Sequence, residues 1–144
     1  SAHVFGYVLA LLQFPQTLAS TIVAFEVNRW VVMIMLNLIL LVLGCVMDAA
    51  ALLVITVPIF FPLVMALGFD PIWFGVVYTI NMEIAIITPP IGMNLFVIRG
   101  LIGKEGTLTD VIWGTLPFTL TFILGLGVIM AFPELSLVLP RLMG

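Results

Sequence analysis

Apolar residues fill three long stretches of the chain, Val31 to Leu67, Ile72 to Leu101 and Val111 to Phe132, with short polar clusters between them. No charged residue lies between Ala49 and Phe69, or between Val111 and Pro133. Uncharged apolar runs of about 18 residues or more are candidates for crossing a bilayer. Stretches such as "NLILLVLG" and "LLVITVPIFFP" show no alternation of lipid-facing and lumen-facing residues, which argues against a transmembrane barrel. The pattern predicts an all-α polytopic membrane protein.

The polar interruptions divide these runs. Val31 to Leu67 spans 37 residues and is broken once, by "GCVMDAA" from Gly44 to Ala50. Two full crossings need about 40 residues plus a turn. A re-entrant helical hairpin over residues 31–67, with its tip at 44–48, fits better than two tilted spans. Irregular backbone at membrane depth is tolerated where protein or a wet cavity surrounds it. "LGFDP", Leu67 to Pro71, is a turn. Residues 72–101 then contain Thr88-Pro89-Pro90. Proline lacks a donor and disfavours helix at the residue before it. The run therefore reads as one discontinuous transmembrane helix, broken over 88–92, with pieces of about 24 and 16 Å. Residues 1–30 read as the end of a helix and an interfacial arm helix, with Pro15 in its first turn. Residues 103–117 read as a surface loop and short helix, 118–133 as the last transmembrane helix, and 134–144 as a tail. Trp30, Trp73 and Trp113 fall near the ends of apolar runs, where interfacial tryptophans belong.

Composition agrees with this reading. The 144 residues are 64% hydrophobic and 8% charged, with a mean hydropathy of +1.40; a soluble domain carries about 25% charged residues. The net charge of −3 sits in short turns, and no basic patch suggests a nucleic-acid partner. Cys45 is the sole cysteine, so no internal disulfide or CxxC site is available. His3 is the sole histidine, which removes histidine-based metal or catalytic clusters. Without a nucleophile–base pair, an enzyme is not expected. The opening "SAHVFGYVLALL" has neither an initiator Met nor a basic signal region, and reads as the start of a fragment. Arg29 and Arg141 balance Arg99 and Lys104 across the membrane; only the closeness of the latter two leans the Gly103–Asp110 loop toward the cytoplasm.

The candidate chemistry lies at the breaks. A broken helix leaves carbonyls at the end of its first half and N–H groups at the start of its second, partly negative and partly positive respectively. Secondary transporters use such ends to hold a cation and an anionic substrate group. Thr88, Pro89, Pro90, Gly92 and Asn94 supply this pattern; the alternative is a proline kink with Thr88 as N-cap and Pro89 in the first turn. Gly44 to Asp48 gives a second break. Asp48 is either the N-cap of the hairpin's return arm or a direct ligand of a cation or proton. Glu83 lies five residues before Thr88 on the face of Thr79. Carboxylates at such depth usually face the protein interior, in a structural or a functional role. Asn37 and Asn81 are expected to be hydrogen-bond partners between helices. A channel would need a polar stripe along a whole helix, whereas here polarity concentrates at two points. A non-transporting helical scaffold is the rival reading.

Three pieces in order carry a resemblance: the G-x-x-x-D hairpin from Gly44 followed by "PIFFP", the turn "GFDPIWFG", and "ITPPIGMNLF". Together they resemble the C-terminal part of the large permease (DctM-like) subunit of tripartite ATP-independent periplasmic (TRAP) transporters, over about Phe14 to Phe132. The resemblance implies one half of an inverted-repeat, elevator-type transporter in the bacterial inner membrane. It implies sodium-coupled import of organic acids such as C4-dicarboxylates, sialic acid or keto acids, with sodium as the coupling ion and no other cofactor. A periplasmic binding protein would deliver the substrate, and a small membrane subunit would brace the large one. Sodium would be held largely by backbone carbonyls around Gly44 to Asp48 and Thr88 to Asn94. Ala85 departs from the glycine common in that family just ahead of the Thr-Pro-Pro, and adds a methyl near the break.

Overall fold

From Arg29 onward, six helices follow one another among the described residues: α1 (Arg29–Gly44), α2 (Ala49–Ala66), α3 (Pro71–Ile87), α4 (Met93–Ile102), α5 (Leu108–Ala131) and α6 (Glu134–Met143). The computed structural model describes residues 28–89, 92–103 and 106–143, with scattered positions between Val4 and Ala24. The expected arm helix and Pro90 lie largely or wholly outside them.

Side-chain caps begin most of these helices. The Asn28 carboxamide accepts from the Trp30 N–H at 2.9 Å. Asp48 accepts from Ala50 and Ala51 N–H at 3.0 and 3.4 Å, opening α2. Asp70 accepts from Ile72 and Trp73 N–H at 2.8 and 3.3 Å, with Pro71 in the first helical position. Thr107 and Asp110 form a reciprocal capping box at the start of α5. A cap of this kind is worth about 1 kcal/mol, so each start is locally encoded. Helix α4, by contrast, follows Gly92 with no side-chain cap.

The discontinuous run supplies the hub. Helix α3 packs against each of the other five described helices. Its buried face (Trp73, Phe74, Val77, Tyr78, Met82) meets Val32, Met33, Leu36 and Leu40 of α1 and Leu52, Phe60, Leu63 and Val64 of α2. Helices α1 and α3 run side by side in the same direction. At their starts Trp30 meets Phe69 and Trp73 edge-on, at 5.3 and 6.0 Å between centroids. Phe69 stacks on Trp73 at 5.0 Å. The Trp73 Nε1–H donates to the Ile129 carbonyl at 2.9 Å, tying the end of α5 to this cluster. A second polar tie, between Thr56 Oγ1 and Tyr78 Oη at 2.9 Å, joins α2 to α3 inside the core.

Helices α2 and α5 are long and apolar enough to cross a membrane. Val111 is the one buried residue of α5; Trp113, Phe118 and Leu124 are 69%, 65% and 71% exposed. Such a surface suits lipid or another membrane helix, and the all-helical described chain is consistent with a helical membrane protein.

Several expectations need correcting. Beyond the loop residues Gly106 and Thr107 there is no short helix ahead of a separate span over 118–133. One helix runs from Leu108 to Ala131 with Pro117 inside it. A single proline removes one donor, and nearby threonines hydrogen-bond the local carbonyls, as Thr115 does to Ile112 (3.1 Å) and Thr121 to Pro117 (2.8 Å). The tail over 134–144 is helical from Glu134 to Met143, because Leu137 seats in the core and Glu134 pairs with Arg141. Trp73, expected at an interface, is 1% exposed within the aromatic cluster.

Candidate functional site

At the first break α1 ends at Gly44 and α2 begins at Ala49. The Cys45 N–H donates to Leu41 O at 3.0 Å, and the Val46 and Met47 N–H groups donate to Leu43 O at 3.1 and 2.8 Å. Asp48 closes the loop by capping α2; its carboxylate serves its own helix, which is the N-cap alternative. Gly44 touches α3 so closely that a Cβ there would lie 2.5 Å from the Ala85 Cβ. Ala85 is fully buried, and its methyl is what the hairpin tip rests on.

At the second break α3 stops at Ile87 and Thr88 turns extended, at φ −97° and ψ 132°. The Thr88 N–H donates to Ala85 O at 3.3 Å, and its hydroxyl donates to Ile84 O at 2.5 Å. Thr88 thus ends the first half-helix; it is not the N-cap of the second, a role taken by Gly92. The next carbonyls converge. A Cβ on Gly92 would lie 2.9 Å from Ile86 O and 2.7 Å from Thr88 O. The two main-chain oxygens thus crowd one point of backbone that only glycine can occupy. Immediately after it comes the start of α4, where the N–H groups of a first helical turn carry partial positive charge; Gly92 offers them no side-chain cap, and the Leu95 N–H donates to Gly92 O at 2.9 Å.

The sequence candidates therefore separate into groups. Gly44 meets the α3 end through Ala85, and Thr88 and Gly92 meet each other through backbone. Pro89 is exposed at the break. Asn94 is exposed and Asp48 is engaged as a cap; neither hydrogen-bonds to the Thr88–Gly92 segment among the described residues. Glu83 sits on the exposed side of α3 and not in its interior, with Thr79, whose hydroxyl donates to Gly75 O at 2.8 Å. Among the described residues its carboxylate makes no ion pair, the pair there being Arg141 with Glu134. The sequence points to carbonyls at the end of the first half-helix but does not single out that of Ile86, because main-chain oxygens have no residue signature. Its only signal is position, in the last turn before a Thr-Pro-Pro stop.

Comparison with known families decides the class. A family model described as "Tripartite ATP-independent periplasmic transporter, DctM component" matches residues 1–135. The chain belongs to the DctM family. Relatives of this DctM chain include the C4-dicarboxylate TRAP transporter large permease protein DctM of Pseudomonas aeruginosa, 38% identical over 144 residues, covering 100% of this chain and 33% of that protein. The protein of the same name from Rhodobacter capsulatus is 34% identical over 145 residues, covering 100% and 32%. The sialic acid TRAP transporter large permease protein SiaM of Vibrio cholerae is 39% identical over 141 residues, covering 96% and 32%. The chain thus spans about a third of the length of these relatives. The family consists of transporter permeases, not enzymes.

Proposed function

We propose that this DctM chain carries one half of the coupling-ion and substrate site of a sodium-driven importer of organic acids. The observation that carries the reading is the convergence of Ile86 O and Thr88 O on Gly92, directly before an uncapped helix start. Sodium, as cargo, suits a cluster of main-chain carbonyls with the Thr88 hydroxyl oxygen at its edge. Among the described residues no three His, Cys, Asp or Glu side chains gather, so the ligands invoked are main-chain and hydroxyl oxygens. The N–H groups opening α4 suit a substrate carboxylate. The organic acid belongs to the class named for the relatives, C4-dicarboxylates or sialic acid.

In this reading Gly44 to Asp48 is the tip of a re-entrant hairpin whose contact on Ala85 holds it against the broken helix. The assembly sits as a multi-pass subunit in the bacterial inner membrane beside a small membrane subunit, and a periplasmic binding protein delivers the acid. The hairpin-bearing unit then moves in elevator fashion to release it.

The test is thermal unfolding and uptake by the complete transporter in sodium against choline. A bound ion stabilises by mass action, about 2.7 kcal/mol at a hundredfold excess over Kd, so sodium raises the Tm of the wild type. Thr88→Val, which inserts normally but lacks the hydroxyl, shows a smaller rise and loses uptake at low sodium. Equal melting in the two salts, which a scaffold subunit would give, overturns the reading.

A further inference from the structure

Two buried carboxamides link the hairpin arm to the broken helix. Asn81 is 1% exposed, and its Nδ2 donates both to Asn37 Oδ1 at 2.6 Å and to the Asn37 carbonyl at 3.0 Å. Asn37 Nδ2 donates to Met33 O at 2.8 Å, which fixes its rotamer along α1. The Asn81 Oδ1 is buried with no partner among the described residues, so the amide is held there for its donors.

The positions matter more than the bonds themselves. Asn37 lies seven residues ahead of Gly44, and Asn81 lies seven ahead of Thr88, about two helical turns in each case. The pair therefore crosses from α1 to α3 at the same axial distance from both breaks. Ala85, one turn past Asn81, is the residue that the tip glycine, two turns past Asn37, meets. Apolar packing is non-directional and tolerates sliding of one helix on the other. A slide by one residue moves a helix about 1.5 Å, which a 2.6 Å bond does not survive.

We propose that Asn81, acting through Asn37, is a positioning residue that fixes the axial register of the hairpin tip against the Thr88–Gly92 break and thereby sets sodium affinity. This rests on the sodium reading above. A single buried asparagine fixes register in the same way in coiled coils. Neither asparagine touches the ion; their effect reaches it through the tip contact and the end of α3.

The experiment compares Asn81→Asp, which keeps the volume but loses the donor, and the double variant Asn37→Leu with Asn81→Leu, which removes both polar partners and leaves none stranded. Both are made in the complete transporter, with two readouts: melting temperature in choline and the sodium concentration giving half-maximal uptake. The double variant is expected to melt close to wild type in choline yet to need about tenfold more sodium or more, the scale on which outer-shell partners of a metal act. Asn81→Asp shows the same sodium shift. A double variant that folds and keeps the wild-type sodium dependence overturns the proposal. So does a loss confined to choline stability that leaves half-saturation unchanged in Asn81→Asp. A wild type without sodium-dependent melting would instead sink the underlying site reading, a result visible before any asparagine is altered.

Discussion

The two breaks in this bundle are built in opposite ways. Around Gly44 to Asp48 the loop N–H groups return to Leu41 and Leu43 carbonyls, and a carboxylate caps the next helix. Around Thr88 to Gly92 proline supplies no N–H, the next helix starts without a side-chain cap, and two carbonyl oxygens press on a glycine. The first break returns its N–H groups to its own helix and offers the rest of the molecule a shape. The second retains polar groups whose natural partners are charged or hydrated. An interrupted helix is therefore not a binding site by virtue of its interruption; what matters is whether its ends have been closed.

The contrast can be attacked at several points. The largest effect is expected for Gly92→Val, whose Cβ would fall 2.7 Å from Thr88 O and 2.9 Å from Ile86 O. Uptake should drop to background while membrane insertion, followed by fractionation, persists; retained transport would mean that the second break is as inert as the first. Next comes Gly44→Ala. Its methyl collides with Ala85, and overpacking of this kind costs about 1–3 kcal/mol. Ala85→Gly should restore most of that loss, with a coupling of about 0.5–3 kcal/mol in a double-mutant cycle read by thermal unfolding. Strict additivity would show that the tip does not rest on α3. The smallest effect belongs to Asp48→Ala. Loss of the cap removes about 1 kcal/mol of stability, with half-saturating sodium unchanged. A marked rise in the sodium requirement would make Asp48 a ligand and the first break an open one.

Much of this contrast was legible in the residues. Two prolines after a threonine stop a helix wherever they stand, and the break at Thr88 follows from local chemistry alone. Asp48 before "AAALLVI" is an N-cap by the same logic. Asn37 and Asn81 declared themselves as partners because isolated carboxamides in apolar helices need one. What the chain did not reveal was either non-local or carried by main chain. Pro117 resembles a boundary, yet α5 continues through it because a lone missing donor is a small defect in a long helix. Glu83 was expected inside and lies on an exposed side of α3, since depth along a helix does not specify azimuth. The helical end from Glu134 owes its order to Leu137 reaching a core assembled elsewhere. The contact of Gly44 with Ala85 depends on the offset between two helices, which no local pattern encodes.

The crowding of Ile86 O and Thr88 O on Gly92 has a practical side. Every amino acid carries the same oxygen on its backbone, so alanine scanning across Ile86 would delete a side chain and leave the relevant atom untouched. Replacing the amide linkage by an ester, which weakens that carbonyl as a donor of electron density, is the edit to which such a cradle would respond.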